Sequence, residues 1–273
     1  MNSSLTAYQL LEKLALKEVT NASFPTHFMI VLRLRTAMND KQAPHKLLIK
    51  MMGAEPVISA RIIQGANAVT NYPIPAIKDI GKAITVLGTS SVRRISLAVA
   101  MAQLAKSKDL LVFSNLSRAL WLHSVQTATA ASTVASALST IDPDEAFFAG
   151  LMINMGSFYL LYQASQKEIL QRSPDDVKLA VKRFYPVMTK KVLAYLKLPI
   201  DVIDAVDLTS FEQCAITDPP KTMSDIVQAA MVIAMEDHPW YPEFTDKCVL
   251  SPIYTGLHTH IMEALVDVHE RYQ

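Results

Sequence analysis

The fold is decided by the stretch Asp142-Pro143-Asp144-Glu145-Ala146-Phe147-Phe148-Ala149-Gly150-Leu151-Met152-Ile153-Asn154-Met155-Gly156. Asp142 is a suitable N-cap, and Pro143 fits the first position of a helix. After them apolar side chains occupy every side, and no charged residue occurs between Ala146 and Gln166. A helix that is apolar all round is buried in a large core or crosses a membrane.

The length of this uncharged run would permit a membrane span. Against a span, Asn154, Ser157 and Gln163 interrupt the run, and acidic residues rather than Lys or Arg precede it. We therefore predict one central helix buried in a soluble bundle, and no interaction with a membrane.

Composition favours an all-α protein. Hydrophobic residues make up 51% of the 273 residues and there are only 7 glycines, while long stretches repeat apolar residues at helical spacing. The net charge is +1, so no broad electrostatic attraction for nucleic acid is expected. Scattered basic pairs are typical of solvated helix faces: Arg93-Arg94, Lys182-Arg183 and Lys190-Lys191.

Cysteine usage and the first residues indicate a compartment. Cys214 and Cys248 are far apart and form no CxxC motif, as in a reduced protein with two incidental thiols. The start Met1-Asn2-Ser3-Ser4-Leu5-Thr6 lacks the basic residues and apolar run of a signal peptide. A cytoplasmic location is the resulting expectation.

Apolar periodicity, with Pro, Gly and Asn as punctuation, predicts the other helices. Their expected spans are about 5–19, 28–38, 43–52, 56–67, 77–87, 89–105, 115–139, 174–197, 200–208, 222–236 and 251–271. The spacing of the glycines excludes a GxGxxG fingerprint and a Walker A loop, and so argues against a nucleotide cofactor bound in those ways.

Several short motifs occur one after another along the chain. In the first half they are Phe24-Pro25-Thr26, Glu55-Pro56-Val57, Ala66-Asn67-Ala68, and a spaced set of Ile77, Asp79, Ala83, Ile84, Leu87 and Gly88. In the second half they are Trp121-Leu122-His123-Ser124, Asp144 through Gly150, and Leu198-Pro199. Together they resemble the HDOD family, an output domain of bacterial signalling proteins that is related to HD-type metal phosphohydrolases.

The resemblance covers about residues 21–235 and implies a multi-helix bundle with two lobes. An N-terminal helical lobe is expected over 21–106 and a degenerate HD-like lobe over 107–235. Residues 1–20 would then form a separate N-terminal helix, and 236–273 a C-terminal loop and helix.

The chain departs from the HD pattern where metal ligands are expected. Ile153 and Asn154 occupy the His-Asp pair, and Thr209 and Ser210 stand where a paired His is expected. The later helix reads Gln228-Ala229-Ala230-Met231-Val232, with no acid in register. Only His123 remains of the ligand set, and catalytic zinc sites use three protein ligands. We expect no metal, no other cofactor and no catalytic residue.

His123, Ile153, Asn154, Thr209 and Ser210 therefore mark a degenerate site. His123 is expected to point inward, either as a core histidine with its ring hydrogen-bonded or as a pocket-lining relic of the ligand set. An unpaired Asn154 amide in the core would cost about 1–3 kcal/mol. We expect it to bond His123, a backbone carbonyl or a buried water.

Two hypotheses about function follow. The first is a non-catalytic bacterial regulatory module, a pseudoenzyme that binds a protein partner or a small ligand in a signalling pathway. The second is a metal-dependent phosphohydrolase with displaced ligands, in which His123 is joined by Asp201, Asp204 or Asp207; a solvated acidic face explains these acids more simply. His258 and His260 are expected on an exposed helix surface, since residues two apart point to different sides. The identity of the partner and the oligomeric state stay open.

Overall fold

The computed structural model describes residues 6–17, 19, 45–69, 76–207, 219–234, 239–240, 252–254, 256–257 and 261. Every longer regular element in these ranges is a helix, which confirms the predicted all-α fold. The elements are α1 (Ala7–Leu16), α2 (His45–Gly53), α3 (Pro56–Val69), α4 (Ile80–Ala105), a 3₁₀ helix (Lys108–Phe113), α5 (Ser114–Leu138), α6 (Pro143–Leu151), α7 (Met155–Ser165), α8 (Glu168–Gln171), α9 (Pro174–Tyr195), α10 (Ile200–Ala205) and α11 (Met223–Ile233). The helix predicted at 28–38, and most of the one predicted at 251–271, lie outside the described residues.

The chain divides into two compact units. One comprises Phe24–Leu104, and the other comprises Met1–Ser23 together with Ala105–Gln273. Helix α1 thus belongs to the same unit as α5 to α11. Within the described ranges, no helix has the length and apolar character that crossing a membrane requires.

In the Phe24–Leu104 unit, α4 bends at Gly88, where a break between two helices was predicted. Gly88 has φ 75° and ψ 161°, a combination that a residue with a Cβ rarely adopts. The Asn67 side chain clamps the approach to α4: its Oδ1 accepts from the Ile77 amide at 2.8 Å, and its Nδ2 donates to the Ile77 carbonyl at 3.0 Å. The Ala-Asn-Ala motif therefore has a structural role here.

In the larger unit, α5 lies at the centre and packs against α6 and α11, while α9 packs against α7 and α1. The small residues of α5 allow close contact. At Gly150 of α6, an added Cβ would lie 2.8 Å from the Ala128 Cα. The backbones of α5 and α6 therefore touch directly, which places the residues that follow Gly150 deep in the core.

The prediction of one continuous central helix is wrong. Asp142 caps α6 as expected, its carboxylate accepting from the Asp144 amide, but the helix ends at Leu151 and α7 begins at Met155. Between them the amides of Ile153 and Met155 bond carbonyls three residues back, so the chain tightens into a turn. The break places Asn154 at the N-cap of α7 with φ −100° and ψ 14°.

Helix α1 is held against α9 through its C-terminus. The Lys191 ammonium donates to the carbonyls of Ala15 at 2.9 Å, Lys17 at 3.3 Å and Leu16 at 3.4 Å. These carbonyls lie at the negative end of the helix dipole and have no intrahelical partner of their own. Leu11 is fully buried on the packed face of α1.

Replacing Lys191 by Met is therefore expected to lower the free energy of unfolding by about 1–2 kcal/mol. The long apolar stem is kept, so the loss isolates the contacts of the charged head. The neighbouring Lys190→Met provides the control, because Lys190 pairs with Asp207 near the surface and such pairs contribute about 0–1 kcal/mol. Urea denaturation of both variants measures the difference; equal midpoints would contradict the role given to Lys191.

The burial of Tyr185 in α9 predicts that the protein loses stability at high pH. Burial raises the pKa of its phenol above the ordinary value of 10, and its ring stacks on Trp240 with centroids 5.1 Å apart. Below pH 10 the phenol keeps its proton in both the folded and the unfolded chain, so its titration does not lower the free energy of unfolding. Above it the unfolded chain ionises first, and stability should fall by about 1.4 kcal/mol per pH unit.

Urea midpoints measured from pH 8 to pH 11 test this prediction. We expect Tyr185→Phe to have a shallower alkaline decline than the wild type, because the titrating group is gone. Tyr162→Phe serves as the control, since that ring is only partly buried. An identical decline in wild type and Tyr185→Phe would show that another group controls the alkaline limb.

Candidate functional site: the HD position

His123 of α5 and Asn154 at the start of α7 meet in the core, where both side chains are fully buried. The Asn154 Nδ2 lies 3.0 Å from the His123 Nδ1, 3.1 Å from the Leu120 carbonyl oxygen and 3.0 Å from the Ser124 Oγ. The sequence-based expectation that Asn154 bonds His123 or a backbone carbonyl is confirmed for both.

The Leu120 carbonyl fixes the orientation of the amide, because a carbonyl only accepts and must face the NH₂ end of Asn154. The Ser124 hydroxyl donates to the same carbonyl at 2.9 Å, so it accepts from Asn154. The His123 Nδ1 likewise accepts an amide N–H, which places the ring proton on Nε2. The Nε2 lies 3.4 Å from the Thr127 hydroxyl.

The three acceptors of this cluster thus share the two N–H bonds of one amide. The Asn154 Oδ1, by contrast, is buried and reaches no hydrogen-bond donor in the described part of the chain. An unsatisfied buried acceptor costs about 1–3 kcal/mol. The amide is held by its nitrogen, which links α5 to the turn between α6 and α7.

Thr189 of α9 secures the other side of this turn. Its buried hydroxyl accepts from the Gly156 amide at 3.0 Å and donates to the Ile153 carbonyl at 3.3 Å. Both groups would otherwise belong to the helical hydrogen-bond ladder, and a side chain inserted into that ladder is a known cause of helix breaks. Thr189 therefore explains why α6 and α7 are separate helices.

Gly156 makes this insertion feasible. A Cβ at this position would lie 2.3 Å from the Thr189 nitrogen and 2.4 Å from the Tyr185 carbonyl oxygen. Atoms of folded proteins do not approach that closely, so only glycine permits the contact between α7 and α9. The turn between α6 and α7 is thus flanked by two glycines that allow close packing, Gly150 against α5 and Gly156 against α9.

The residues present at the HD position do not fit a divalent metal. Ile153 is fully buried and offers only an apolar side chain, and Asn154 directs an N–H donor, not an oxygen, at His123. Metal ligation requires lone pairs directed at one point. Among the described residues there is no group of three or more His, Cys, Asp or Glu side chains placed to hold a metal ion.

The acids of the displaced-ligand hypothesis do not join His123. Asp201 and Asp204 are exposed on α10, and Asp207, which follows that helix, forms an ion pair with Lys190 at 2.5 Å. That hydrogen bond with Asp207 raises the pKa of Lys190. His123 is buried among the helices, so these groups form no common donor set.

Of the residues predicted from sequence, His123 and Asn154 lie in contact, and the buried Ile153 directly precedes Asn154 in the turn. Thr209, Ser210, His258 and His260 lie outside the described residues, so the site as a whole stays a prediction. On α11, Ala229, Ala230 and Met231 are buried, and the helix packs against α5 and α6. Sequence reasoning missed Thr189 and Gly156, since a threonine in an amphipathic helix and a glycine in an apolar run carry no distinctive signal.

A buried helix that breaks beside a buried histidine, in a fold whose described elements are all helices, defines the class as all-α. The HDOD domain model matches residues 24–182, more than half of the chain. The protein belongs to the HDOD family.

Solved structures share this fold. A proposed metal-dependent phosphohydrolase from Shewanella amazonensis is 20% identical, with a TM-score of 0.69 over 98% of this chain and 99% of that chain. An HDOD domain protein of unknown function from Geobacter sulfurreducens is 18% identical, with a TM-score of 0.56 over 84% and 76% of the two chains. A proposed signal transduction protein from Marinobacter aquaeolei is 11% identical, with a TM-score of 0.58 over 97% and 66%.

At these identities the similarity shows the fold alone. The sequence matches none of the curated proteins with which it was compared.

Proposed function

We propose that this protein is a non-catalytic regulatory module of bacterial signalling that acts by binding a protein partner or a small ligand. The observation that carries the proposal is the hydrogen bonding of Asn154. Its Nδ2 lies within 3.1 Å of the three acceptors that face it. The amide therefore occupies the lone pairs that would otherwise be available to bind a cation. The description of one relative as a signal transduction protein is in keeping with this role.

The chemistry of hydrolysis supports the same proposal. A metal-activated water needs an open coordination position and access for substrate. The two residues that would have to serve such a site, His123 and Asn154, are 0% exposed. Regulation by binding requires neither a metal nor an open channel to the HD position.

The first test is elemental analysis after incubation with Mn(II) or Fe(II) and desalting. We expect metal well below one ion per chain, no hydrolysis of bis(4-nitrophenyl) phosphate, and a melting temperature that a chelator leaves unchanged. His123→Ala is the matched variant. A stoichiometric ion that disappears in His123→Ala would overturn the proposal and restore the phosphohydrolase hypothesis.

The binding half of the proposal needs its own measurement. A partner recovered by affinity capture must re-form a complex with this chain when both are purified. The partner should bind the wild type and His123→Leu equally if the HD position is only structural. Complex formation that depends on added Mn(II) would contradict the metal-independent mechanism.

A further inference from the structure

A small cavity on the larger unit has the chemistry of a ligand site and lies outside the HD position. It has a volume of about 170 Å³ and opens between the end of α4, the 3₁₀ helix and the start of α5. Its walls are mostly apolar, and polar groups lie at its rim. The residues that give it this chemistry are Lys106, Ser107, Leu110, Leu111, Arg118 and Trp121.

The base of the cavity is apolar and buried. Leu110 is fully buried, Trp121 is 3% exposed, and Leu111 is 63% exposed at the side. A comparably sized engineered cavity of about 150 Å³ holds one benzene molecule. The volume therefore suits a single aromatic ring or a short aliphatic group, and it is too small for a nucleotide.

One polar group of the cavity, the Ser107 hydroxyl, has no hydrogen-bond partner among the described residues. Ser107 is 7% exposed, yet its hydroxyl makes no hydrogen bond with any described residue. It occupies the N-cap of the 3₁₀ helix but does not cap it. A buried hydroxyl without a hydrogen bond is destabilising, and a hydrogen-bond acceptor on a ligand in the cavity would remove that cost.

The charge at the rim is positive. Lys106 and Arg118 line the cavity, both side chains are exposed, and no ion pair within the described ranges engages either of them. The wall between them is rigid, because the Ser117 hydroxyl donates to the Ala105 carbonyl at 2.9 Å and so ties α5 to the end of α4. Arg118 presents the planar fork that suits a carboxylate or phosphate.

We propose that this cavity binds a small amphipathic anion: one aromatic or short apolar group that carries a carboxylate or phosphate. The apolar group packs on Trp121 and Leu110, while the anionic head faces Arg118, Lys106 and the Ser107 hydroxyl. The proposal goes beyond the regulatory function and stands separately from it, because metal analysis tests the HD position and ligand titration tests this cavity.

Fluorine NMR of protein labelled with 5-fluorotryptophan provides the test. The chain has 2 tryptophans, so Trp121 reports on the cavity and Trp240 serves as an internal reference. Phenyl phosphate is the probe, with benzyl alcohol and inorganic phosphate as the ring-only and charge-only controls. We expect a saturable shift of the Trp121 resonance with a Kd on the order of 1 mM, which suits a ligand of this size.

Arg118→Gln should weaken phenyl phosphate at least about tenfold and leave benzyl alcohol unchanged, because it removes only the charge contact. Arg172→Gln is the matched control, an exposed arginine on a different element. No Trp121 response up to about 20 mM would overturn the cavity as a site. Equal responses to phenyl phosphate and benzyl alcohol would contradict the assignment of an amphipathic anion as the ligand. A response to inorganic phosphate as large as that to phenyl phosphate would contradict it as well.

Discussion

Gly156→Ala is expected to destabilise the larger unit by roughly 3 kcal/mol or more, at or above the upper end of ordinary overpacking costs. The added methyl would lie 2.3 Å from the Thr189 nitrogen and 2.4 Å from the Tyr185 carbonyl oxygen. These are backbone atoms of α9, so no side-chain rotation relieves the clash. The two helices must separate, and the hydrogen bonds through Thr189 are lost with the contact.

Gly53→Ala is the matched control. No described residue beyond the adjacent backbone of α2 comes within 4 Å of a Cβ built at Gly53, so the same chemical change should alter the stability by less than about 1 kcal/mol. Urea denaturation followed by circular dichroism measures both. Wild-type stability in Gly156→Ala would mean that α7 and α9 do not approach as closely as described.

Thr189 provides a milder variant in case Gly156→Ala does not fold. Thr189→Val keeps the shape but removes the hydroxyl that serves the Gly156 amide and the Ile153 carbonyl. We expect a loss of roughly 2 kcal/mol, and Thr189→Ser should recover much of it. Equal stabilities of the Val and Ser variants would contradict the inserted hydroxyl.

Asn154→Asp is expected to destabilise the protein by about 3–5 kcal/mol, although it restores the residue type of the HD pair. A carboxylate oxygen would replace the nitrogen that lies 3.1 Å from the Leu120 carbonyl, so two acceptors would face each other. The new charge would be fully buried, and among the described side chains that contact Asn154 only His123 could supply a counter-charge. The loss should appear as a lower urea midpoint whether or not Mn(II) is present.

Asn115→Asp is the control, since Asn115 is exposed in the first turn of α5, where a negative charge is tolerated or favourable. A double variant refines the test. Replacing both His123 and Asn154 by Leu removes both partners at once, and the coupling between the two positions should be about 1–3 kcal/mol. Stabilisation of Asn154→Asp by Mn(II) would instead reveal a latent metal site.

Much of the helical architecture could be predicted from local sequence. Pro and Gly punctuation placed the boundaries of α3 and of α9 within a few residues, and Gly88 marked the bend of α4 because its backbone needs φ 75°. Residue type also showed that Ile153 has no atom in its side chain that could bind a metal, and the loss of the ligand set as a whole stays a prediction. The division of the chain into segments 1–20, 21–235 and 236–273 stays a prediction.

The partner of Asn154 was predictable for a different reason. A polar amide on a helix that is apolar all round must be hydrogen-bonded if it is buried, and His123 was one of three expected partners, beside a backbone carbonyl and a buried water. The orientation of the amide was not predictable. It depends on the Leu120 carbonyl and the Ser124 hydroxyl, which come within reach only when α5 packs beside the turn.

By itself the sequence determined the helical class of this protein, the residues that occupy the HD position and the need for Asn154 to find a partner, because each of these follows from the chemistry of single residues and their near neighbours. Only the tertiary structure decided where the central helix breaks. The Thr189 hydroxyl at the break belongs to α9, and Thr189 lies 33 residues from Gly156 in the sequence. Local helix propensity does not reflect a contact between residues so far apart. The same holds for the exposed acids of α10 and for the cavity at Ser107, whose properties arise from packing between elements.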